Sequence, residues 1–278
     1  AVSQGGGIGR YVRELLRALT ILDSENEYSL FFASKDLSAR GLPVLPHNFC
    51  ARRVPFPDIW LARVWHRMRA PLPVELITGR VDVYHSPDFT LPPTLRDTST
   101  LLTVHDLSFL REPSSAAPGL ADYLEQVVSR SVSRATHVLA DSQSTKDDLM
   151  EIYNTPENKI TVLYAGVSSD FSPVAEPASI MEVRSRYGLG GGPYVLSVGT
   201  LQPRKNHARL IAAFDRALRD SQYNLVLAGG DGWMYEDVRA QVTKRGLKQR
   251  VLFPGFVAEE DLPSLYSGAS MMVFPSLY

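Results

Sequence analysis

Short apolar runs alternate with amphipathic stretches along almost the whole chain, and this alternation restricts the folds that the chain can adopt. The runs are apolar on both faces, as parallel strands are when helices cover both sides of a sheet. The chain is therefore predicted to be an α/β protein with doubly wound parallel sheets. The predicted strands are Tyr28–Ala33, Val81–His85, Thr100–Val104, His137–Ala140, Ile160–Leu163, Tyr194–Val198, Asn224–Leu227, Val251–Phe253 and Met271–Phe274.

The amphipathic stretches between these strands are predicted to be helices. They are Ile8–Leu22, Leu120–Ser133, Ser144–Ile152, Ile180–Tyr187, His207–Arg219, Tyr235–Arg245 and Asp261–Gly268. For the helix that starts at Ser144, the spacing to Asp147 resembles a capping box with Asp in place of Glu.

A polar stretch that contains Pro173 and Pro177 predicts a boundary between two domains. Residues 1–171 would form the first α/β domain and residues 172–278 the second. We expect the second domain to be incomplete, because Met271–Phe274 is an apolar strand that should lead to further structure.

Composition excludes several classes of protein. The net charge of −1 provides no overall field that would attract nucleic acid, and the single cysteine, Cys50, cannot form a disulfide within the chain. No apolar run reaches the roughly 20 residues that span a bilayer, and no signal peptide is visible. These features favour a cytoplasmic protein.

One segment, Arg52 to Arg69, is both basic and aromatic. Its residues Trp60, Val64 and Met68 have the spacing of one helix face, which favours a core helix that connects two strands. The alternative is a helix that lies on the inner face of a membrane as a peripheral contact.

Near its start the chain has a glycine-rich stretch, Gly5-Gly-Gly-Ile-Gly-Arg10, that leads into a predicted helix. The dinucleotide-binding pattern G-x-G-x-x-G fails here, because its third glycine falls on Arg10 or Val12. Two interpretations remain: an anion-binding turn at a helix N-terminus, or a flexible end of the chain.

Other candidate residues follow the predicted strands, where α/β proteins bind their ligands. His105 and Asp106 end one strand. Arg204 and Lys205 lie between another strand and a helix N-terminus, where two adjacent cations are unfavourable unless an anion binds them. Glycine turns follow two further strands, at Gly229-Gly230 and at Gly255-Phe256.

Taken in order, these motifs resemble those of the group 1 (family 4) glycosyltransferases, and the resemblance covers essentially the whole chain. The matching stretches are Gly5–Tyr11, Tyr84–Asp88, Thr103–Leu107, Ala140–Ser142, Val198–Asn206, Ala228–Gly230, Gly255–Val257 and Glu260–Tyr266. The resemblance is most specific at Val198–Asn206 and at Phe253–Tyr266.

The resemblance implies a GT-B fold of two Rossmann-like domains with a nucleotide-sugar donor in the cleft between them. It also implies metal-independent transfer of a hexose with retention of configuration, with no cofactor. His105, Arg204 and Lys205 would be catalytic, the two cations by stabilising the leaving diphosphate. The donor would contact Gly6, Gly7, Gly199, Thr200, Gly229, Gly230, Gly255, Phe256 and Val257, and Asp88 and Asp106 would lie on the side of the acceptor.

The chain also departs from this family. The strand expected before the glycine-rich stretch is missing, as is the acidic motif expected after Tyr278, so we expect this chain to be inactive or nearly so on its own. Some relatives have Arg at the position of Thr200, which leaves fewer cations here for phosphate.

The mannosyltransferase-like form of Gly199–Asn206 favours GDP-mannose as the donor, with UDP-glucose second, and a glycan or lipid-linked acceptor in polysaccharide biosynthesis. A non-catalytic module that binds a nucleotide or nucleotide sugar is the alternative.

Overall fold

The computed structural model describes residues 6–33, 44–54 and 57–278, and its contacts divide the chain into two compact units. Unit 1 takes in Ala1–Leu107 and Asp122–Gly166, and unit 2 takes in Ser108–Ala121 and Val167–Tyr278. The chain thus passes from unit 1 to unit 2 a few residues before the predicted boundary, and residues 108–121 group with unit 2.

Helices and strands alternate in both units. The helices are α1 (Gly7–Leu22), α2 (Asp58–Ala62), α3 (Glu75–Thr78), α4 (Ser108–Arg111), α5 (Leu120–Arg134), α6 (Gln143–Tyr153), α7 (Pro177–Arg186), α8 (His207–Leu218), α9 (Glu236–Lys244) and α10 (Leu262–Ser267). The strands are β1 (Tyr28–Ala33), β2 (Phe49–Val54), β3 (Val83–Ser86), β4 (Ser99–Val104), β5 (His137–Ala140), β6 (Ile160–Val162), β7 (Tyr194–Val198), β8 (Asn224–Ala228), β9 (Val251–Gly255) and β10 (Met271–Met272).

In unit 1 the described strands form two parallel sheets, one with the pair β1-β2 and one with the order β3-β4-β5-β6. Val104 and Ala140 are paired at the ends of β4 and β5 and are fully buried. This register brings the residues that follow the two strands to the same edge of the sheet.

Unit 2 contains one parallel sheet with the order β10-β7-β8-β9. Alternate residues of its central strands are buried in two separate clusters, with Leu225 and Leu227 in one and Val226 and Ala228 in the other. Both faces of the sheet are therefore covered, as the continuous apolar runs predict. The α/β fold predicted from the sequence is confirmed.

The segment from Arg52 to Arg69 differs from its prediction. Arg52 belongs to β2, a strand that the sequence does not predict because three successive side chains, Cys50 to Arg52, are exposed. The helix that follows passes from α2 into a π-helical turn, Arg63–Arg67, which breaks the 3.6-residue spacing. The predicted core helix is wrong: Trp60 is 56% exposed and Met68 is 73% exposed.

Trp65 instead anchors this segment. Its indole Nε1 donates to the carbonyl of Leu72 at 2.9 Å, and its ring lies against Phe31. None of the helices in the described part of the chain combines the length and the apolar character needed to cross a membrane.

Candidate functional site

In unit 2, backbone hydrogen bonds tie together the ends of three neighbouring strands. The Gly199 N–H after β7 donates to the carbonyl of Ala228 at 2.8 Å, and the Gly229 N–H after β8 donates to the carbonyl of Gly255 at 2.8 Å. Leu201 N–H donates to Gly230 at 2.9 Å. The predicted turns at residues 199, 229 and 255 therefore lie together at one edge of the sheet.

The turn after β8 requires glycine for packing. Gly229 has φ +153°, and a Cβ built there would lie 2.1 Å from the carbonyl oxygen of Gly199. A Cβ at Gly232 would lie 2.7 Å from the carbonyl oxygen of Leu201. Gly230, in contrast, has nothing within 4 Å of its Cβ position. The backbones of two turns are thus in direct contact, and no side chain fits between them.

The cations predicted to bind phosphate lie beside these glycine turns. Arg204 and Lys205 are half-buried in a single 3-10 turn, Pro203–Lys205, and Asn206, with φ 57°, leads from it into α8. The Lys205 Nζ lies 4.4 Å from the centre of the Phe274 ring, and a guanidinium nitrogen of Arg204 donates to the carbonyl of Tyr278 at 3.3 Å. Phe274 and Tyr278 therefore hold the side chains of Lys205 and Arg204 in place.

His207, the first residue of α8, is buried directly after this turn. Burial, with a smaller contribution from the charge of Lys205, lowers the pKa of His207 to about 4. Its Nδ1 has no hydrogen-bond partner among the described residues. The imidazole is therefore neutral near pH 7, and the positive charge of the turn comes from Arg204 and Lys205.

The remaining predicted donor residues of unit 2 differ in exposure. Thr200 is exposed, and a Cβ at Gly232 would meet its methyl group. Gly255 is the last residue of β9, with φ +75°; the sequence places it in a turn after that strand. Phe256 is 67% exposed, whereas Val257 is buried in the core. The backbone and the ring of Phe256 are thus available at the sheet edge, but the side chain of Val257 is not.

In unit 1, His105 follows β4 and has a partner at each ring nitrogen. Its Nδ1 lies 2.7 Å from Oδ2 of Asp141, and its Nε2 lies 3.0 Å from the carbonyl oxygen of Pro87. The rings of Tyr11 and Phe89 stand nearly perpendicular to the imidazole, with centroid distances of 5.2 and 5.6 Å. The imidazole is therefore fixed in position by α1, by the end of β5 and by the loop that follows β3.

His105 and the neighbouring His85 have opposite pKa shifts. Burial works to lower the pKa of His105, but the hydrogen bond with Asp141, the charge of Asp141 and the Pro87 carbonyl outweigh it, so the pKa is raised. Burial and the charge of His105 lower the pKa of His85 to about 4. His85 Nε2 lies 2.9 Å from the hydroxyl of Thr103. Burial also raises the pKa of Tyr11.

The other predicted residues of unit 1 are placed as follows. Asp88 accepts the N–H of Phe89 at 2.9 Å, and its charge acts on His105, while Asp106 is half-buried in the segment that leads to α4. Gly6 and Gly7 are exposed at the start of α1, and Gly5 lies outside the described residues. A Cβ at Gly6 or Gly7 would meet nothing within 4 Å, so no close packing requires glycine there.

Asp141, the hydrogen-bond partner of His105, lies in the Ala140–Ser142 stretch but is not among the predicted site residues. It follows β5, the neighbour of β4, and the strand-end argument used for His105 applies to it equally. The helix that follows was also predicted imprecisely. Ser142, and not Ser144, is the N-cap of α6, because its Oγ accepts the N–H of Thr145 at 3.1 Å.

Among residues 6–33, 44–54 and 57–278, no three His, Cys, Asp or Glu side chains form a group that could hold a metal ion. The predicted lack of a metal requirement stays a prediction. The arrangement of unit 2 suits an anionic ligand, with two cations and several backbone turns on one sheet edge.

Two family models match this chain. Residues 5–171 match the model described as "Glycosyltransferase Family 4", and residues 181–278 match "Glycosyl transferases group 1". Among curated proteins, the O-antigen chain mannosyltransferase B of Escherichia coli is 30% identical over 98% of this chain and 73% of its own length. The O-antigen chain mannosyltransferase RfbU of Salmonella typhimurium is 30% identical over 66% of this chain and 47% of its own length.

Solved structures show the same fold. The sucrose-phosphate synthase of Thermosynechococcus elongatus matches with a TM-score of 0.71 and 20% identity over 98% of this chain and 71% of its own. The Anabaena protein HepE, solved with UDP-glucose, matches with a TM-score of 0.67 and 17% identity over 98% of this chain and 71% of its own.

Proposed function

Because this chain belongs to the family 4 glycosyltransferases, we propose that it contributes to the transfer of a hexose from a nucleotide-sugar donor to a glycan or lipid-linked acceptor. The observation that carries the proposal is the unit 2 sheet edge, where the Arg204-Lys205 turn lies beside the turns at residues 199, 229 and 255. A diphosphate has the negative charge that these two cations favour.

GDP-mannose is the proposed donor, because two similar proteins are named as O-antigen chain mannosyltransferases. UDP-glucose is the second candidate, since a protein of the same fold was solved with it. Because both of those similar proteins are named for the O-antigen chain, the proposed acceptor is one of polysaccharide biosynthesis.

We propose the following step, with retention of configuration and without a metal ion. The bond between the anomeric carbon and the diphosphate oxygen breaks, and the acceptor hydroxyl forms the new bond on the same face of the sugar. The hydroxyl proton passes to the leaving diphosphate. Arg204 and Lys205 stabilise the negative charge that grows on that leaving group, which is the largest expected contribution to the rate.

The test is a panel of nucleotide sugars, with donor binding measured by calorimetry and the release of nucleoside diphosphate measured alongside. GDP-mannose should bind best. Arg204→Ala and Lys205→Ala should each weaken binding by about tenfold or more, because a charge-assisted hydrogen bond contributes about 1.5–3 kcal/mol.

Arg216→Ala and Lys248→Ala are the matched controls, since both side chains are exposed on unit 2 away from this edge. They should bind GDP-mannose as the wild type does. The proposal is wrong if no nucleotide sugar binds, or if the control variants lose as much affinity as the two variants in the turn.

We further propose that the surface from Ile59 to Leu76 contacts the anionic inner face of a membrane. Apolar side chains on this surface are strongly exposed, with Ile59 52%, Met68 73% and Leu76 72% exposed. Arg67 and Arg69 are exposed among them. A surface that combines apolar and basic side chains has the chemistry of an interfacial contact.

Vesicle sedimentation tests this contact. Because each basic residue near an anionic surface contributes about 1 kcal/mol, replacing Arg67 and Arg69 together by Ala should weaken binding by about 30-fold. A variant with Arg96 and Arg130 replaced, two exposed arginines elsewhere in the first part of the chain, is the control. Equal binding by both variants would dismiss this surface.

A further inference from the structure

His105 has hydrogen-bond acceptors at both ring nitrogens. The carbonyl oxygen of Pro87, 3.0 Å from Nε2, can only accept, and an ionised Asp141, 2.7 Å from Nδ1, can only accept as well. A neutral imidazole carries one N–H and would point a lone pair at one of these oxygens. An imidazolium carries two N–H groups and satisfies both.

We infer that Asp141 is a positioning residue that, with the Pro87 carbonyl, holds His105 as an imidazolium. His105 then presents a fixed positive charge at the end of β4 and cannot act as a general base. A proton on Asp141 in place of His105 would satisfy the same distances. However, the Asp141 side chain retains 25% exposure to water, which favours its ionised form.

The other groups around the ring agree with this charge state. From the loop after β3, Asp88 adds a second negative charge, which also raises the pKa of His105. From β3, His85 is neutral near pH 7, because its pKa is lowered to about 4, so it does not oppose the charge. Tyr11 on α1 also faces the ring and is uncharged, since burial raises its pKa.

The backbone ensures that the two partners stay in register. Val104 and Ala140 pair across β4 and β5, so the next residue of each strand, His105 and Asp141, leaves the sheet at the same level. Thr145, in the first turn of α6, donates its hydroxyl to the carbonyl of His105 at 3.1 Å. The cluster is therefore built into the sheet edge, with Asp141 directly before the Ser142 cap.

The consequence for catalysis rests on the proposed function. As a fixed cation, a catalytic His105 would stabilise electron-rich oxygens of a bound substrate, and proton transfer would be left to the diphosphate. A neutral His105 would instead serve as a base with a pH optimum set by its own titration.

Nuclear magnetic resonance of the imidazole ring nitrogens tests the inference without any substrate. His105 is assigned by comparison with His105→Asn. At neutral pH we expect two protonated nitrogens on His105, and Asp141→Asn should lower the titration midpoint by at least about one pH unit, a tenfold change in proton affinity. Asp141→Glu should recover part of the shift.

Asp147→Asn is the matched control, because it removes an exposed carboxylate from α6 that accepts from Gln143. Its His105 titration should equal that of the wild type. A neutral His105 in the wild type, or an unchanged midpoint in Asp141→Asn, would overturn the inference. If Asp141→Asn does not fold, the wild-type spectrum decides alone. Failure of the proposed function would show as the absence of donor binding, which leaves the ring spectra unaffected.

Discussion

At the scale of single residues, the backbone contact between two glycine turns is the most demanding feature of unit 2. Because a Cβ at Gly229 would lie 2.1 Å from a backbone oxygen, Gly229→Ala must displace one of two strand ends. We expect a loss of about 3 kcal/mol or more in the free energy of unfolding. Urea denaturation measures it.

Gly230→Ala is the control for this prediction, since nothing lies within 4 Å of its Cβ position and its φ is not positive. It should change the free energy of unfolding by well under about 1 kcal/mol. Equal losses in the two variants would contradict the described contact between the turns.

The buried His207 predicts a loss of stability in acid. Its pKa is lowered from 6.5 to about 4, so between these values the unfolded state binds more protons than the folded state. The free energy of unfolding should therefore fall as the pH falls from 6.5 to 4, with at most about 3 kcal/mol from this group. Urea denaturation at several pH values measures the slope.

His207→Gln should make this slope shallower, whatever its effect on the stability near neutral pH. His47→Gln removes an exposed histidine and should leave the slope unchanged. A wild-type slope that His207→Gln does not alter would assign the acid sensitivity to other groups.

At the scale of elements, the N-cap of α6 in the structure differs from the N-cap predicted from the sequence. Ser142 caps the helix through the N–H of Thr145, so Ser142→Ala should cost about 1 kcal/mol of unfolding free energy. Ser144→Ala should cost little, because Ser144 is exposed inside the helix. The opposite order, measured by thermal denaturation, would favour the capping position predicted from the sequence.

The elements also show which parts of the fold can be predicted from sequence. Strands β7 and β8 are predictable because both of their faces are buried, which makes nearly every residue apolar. Strand β2 is not, because its pairing with β1 depends on backbone hydrogen bonds while half of its side chains, Arg52 among them, stay exposed. The spacing of Trp60 and Met68 failed because a π-helical turn lies between them.

Some residues of the candidate site can likewise be predicted from the sequence, and others cannot. Strand ends identify His105, Arg204 and the glycine turns, because chemistry concentrates there in α/β folds. The pairing of His105 with Asp141 depends on the order of strands in the sheet, which no local pattern contains. The roles of the site residues toward a donor stay predictions.

At the scale of the whole molecule, the residues proposed to act in function lie in both units, each of which has parallel strands and helices. Unit 1 contains the His105 cluster at the edge of β4 and β5, and unit 2 contains the Arg204-Lys205 turn and the glycine turns. Because the net charge is −1, the overall field of the molecule does not attract an anion, and these local cations and backbone groups must bind it. The central claim is thus that a nucleotide sugar binds at the edge of the unit 2 sheet.

Hydrogen–deuterium exchange with and without saturating GDP-mannose tests this claim most directly. Amides in the turns at residues 199–206, 229–232 and 255–257 should exchange more slowly when the donor is bound, and Arg204→Ala should reduce that protection at the same donor concentration. Bound donor that leaves all three turns unprotected would contradict the account.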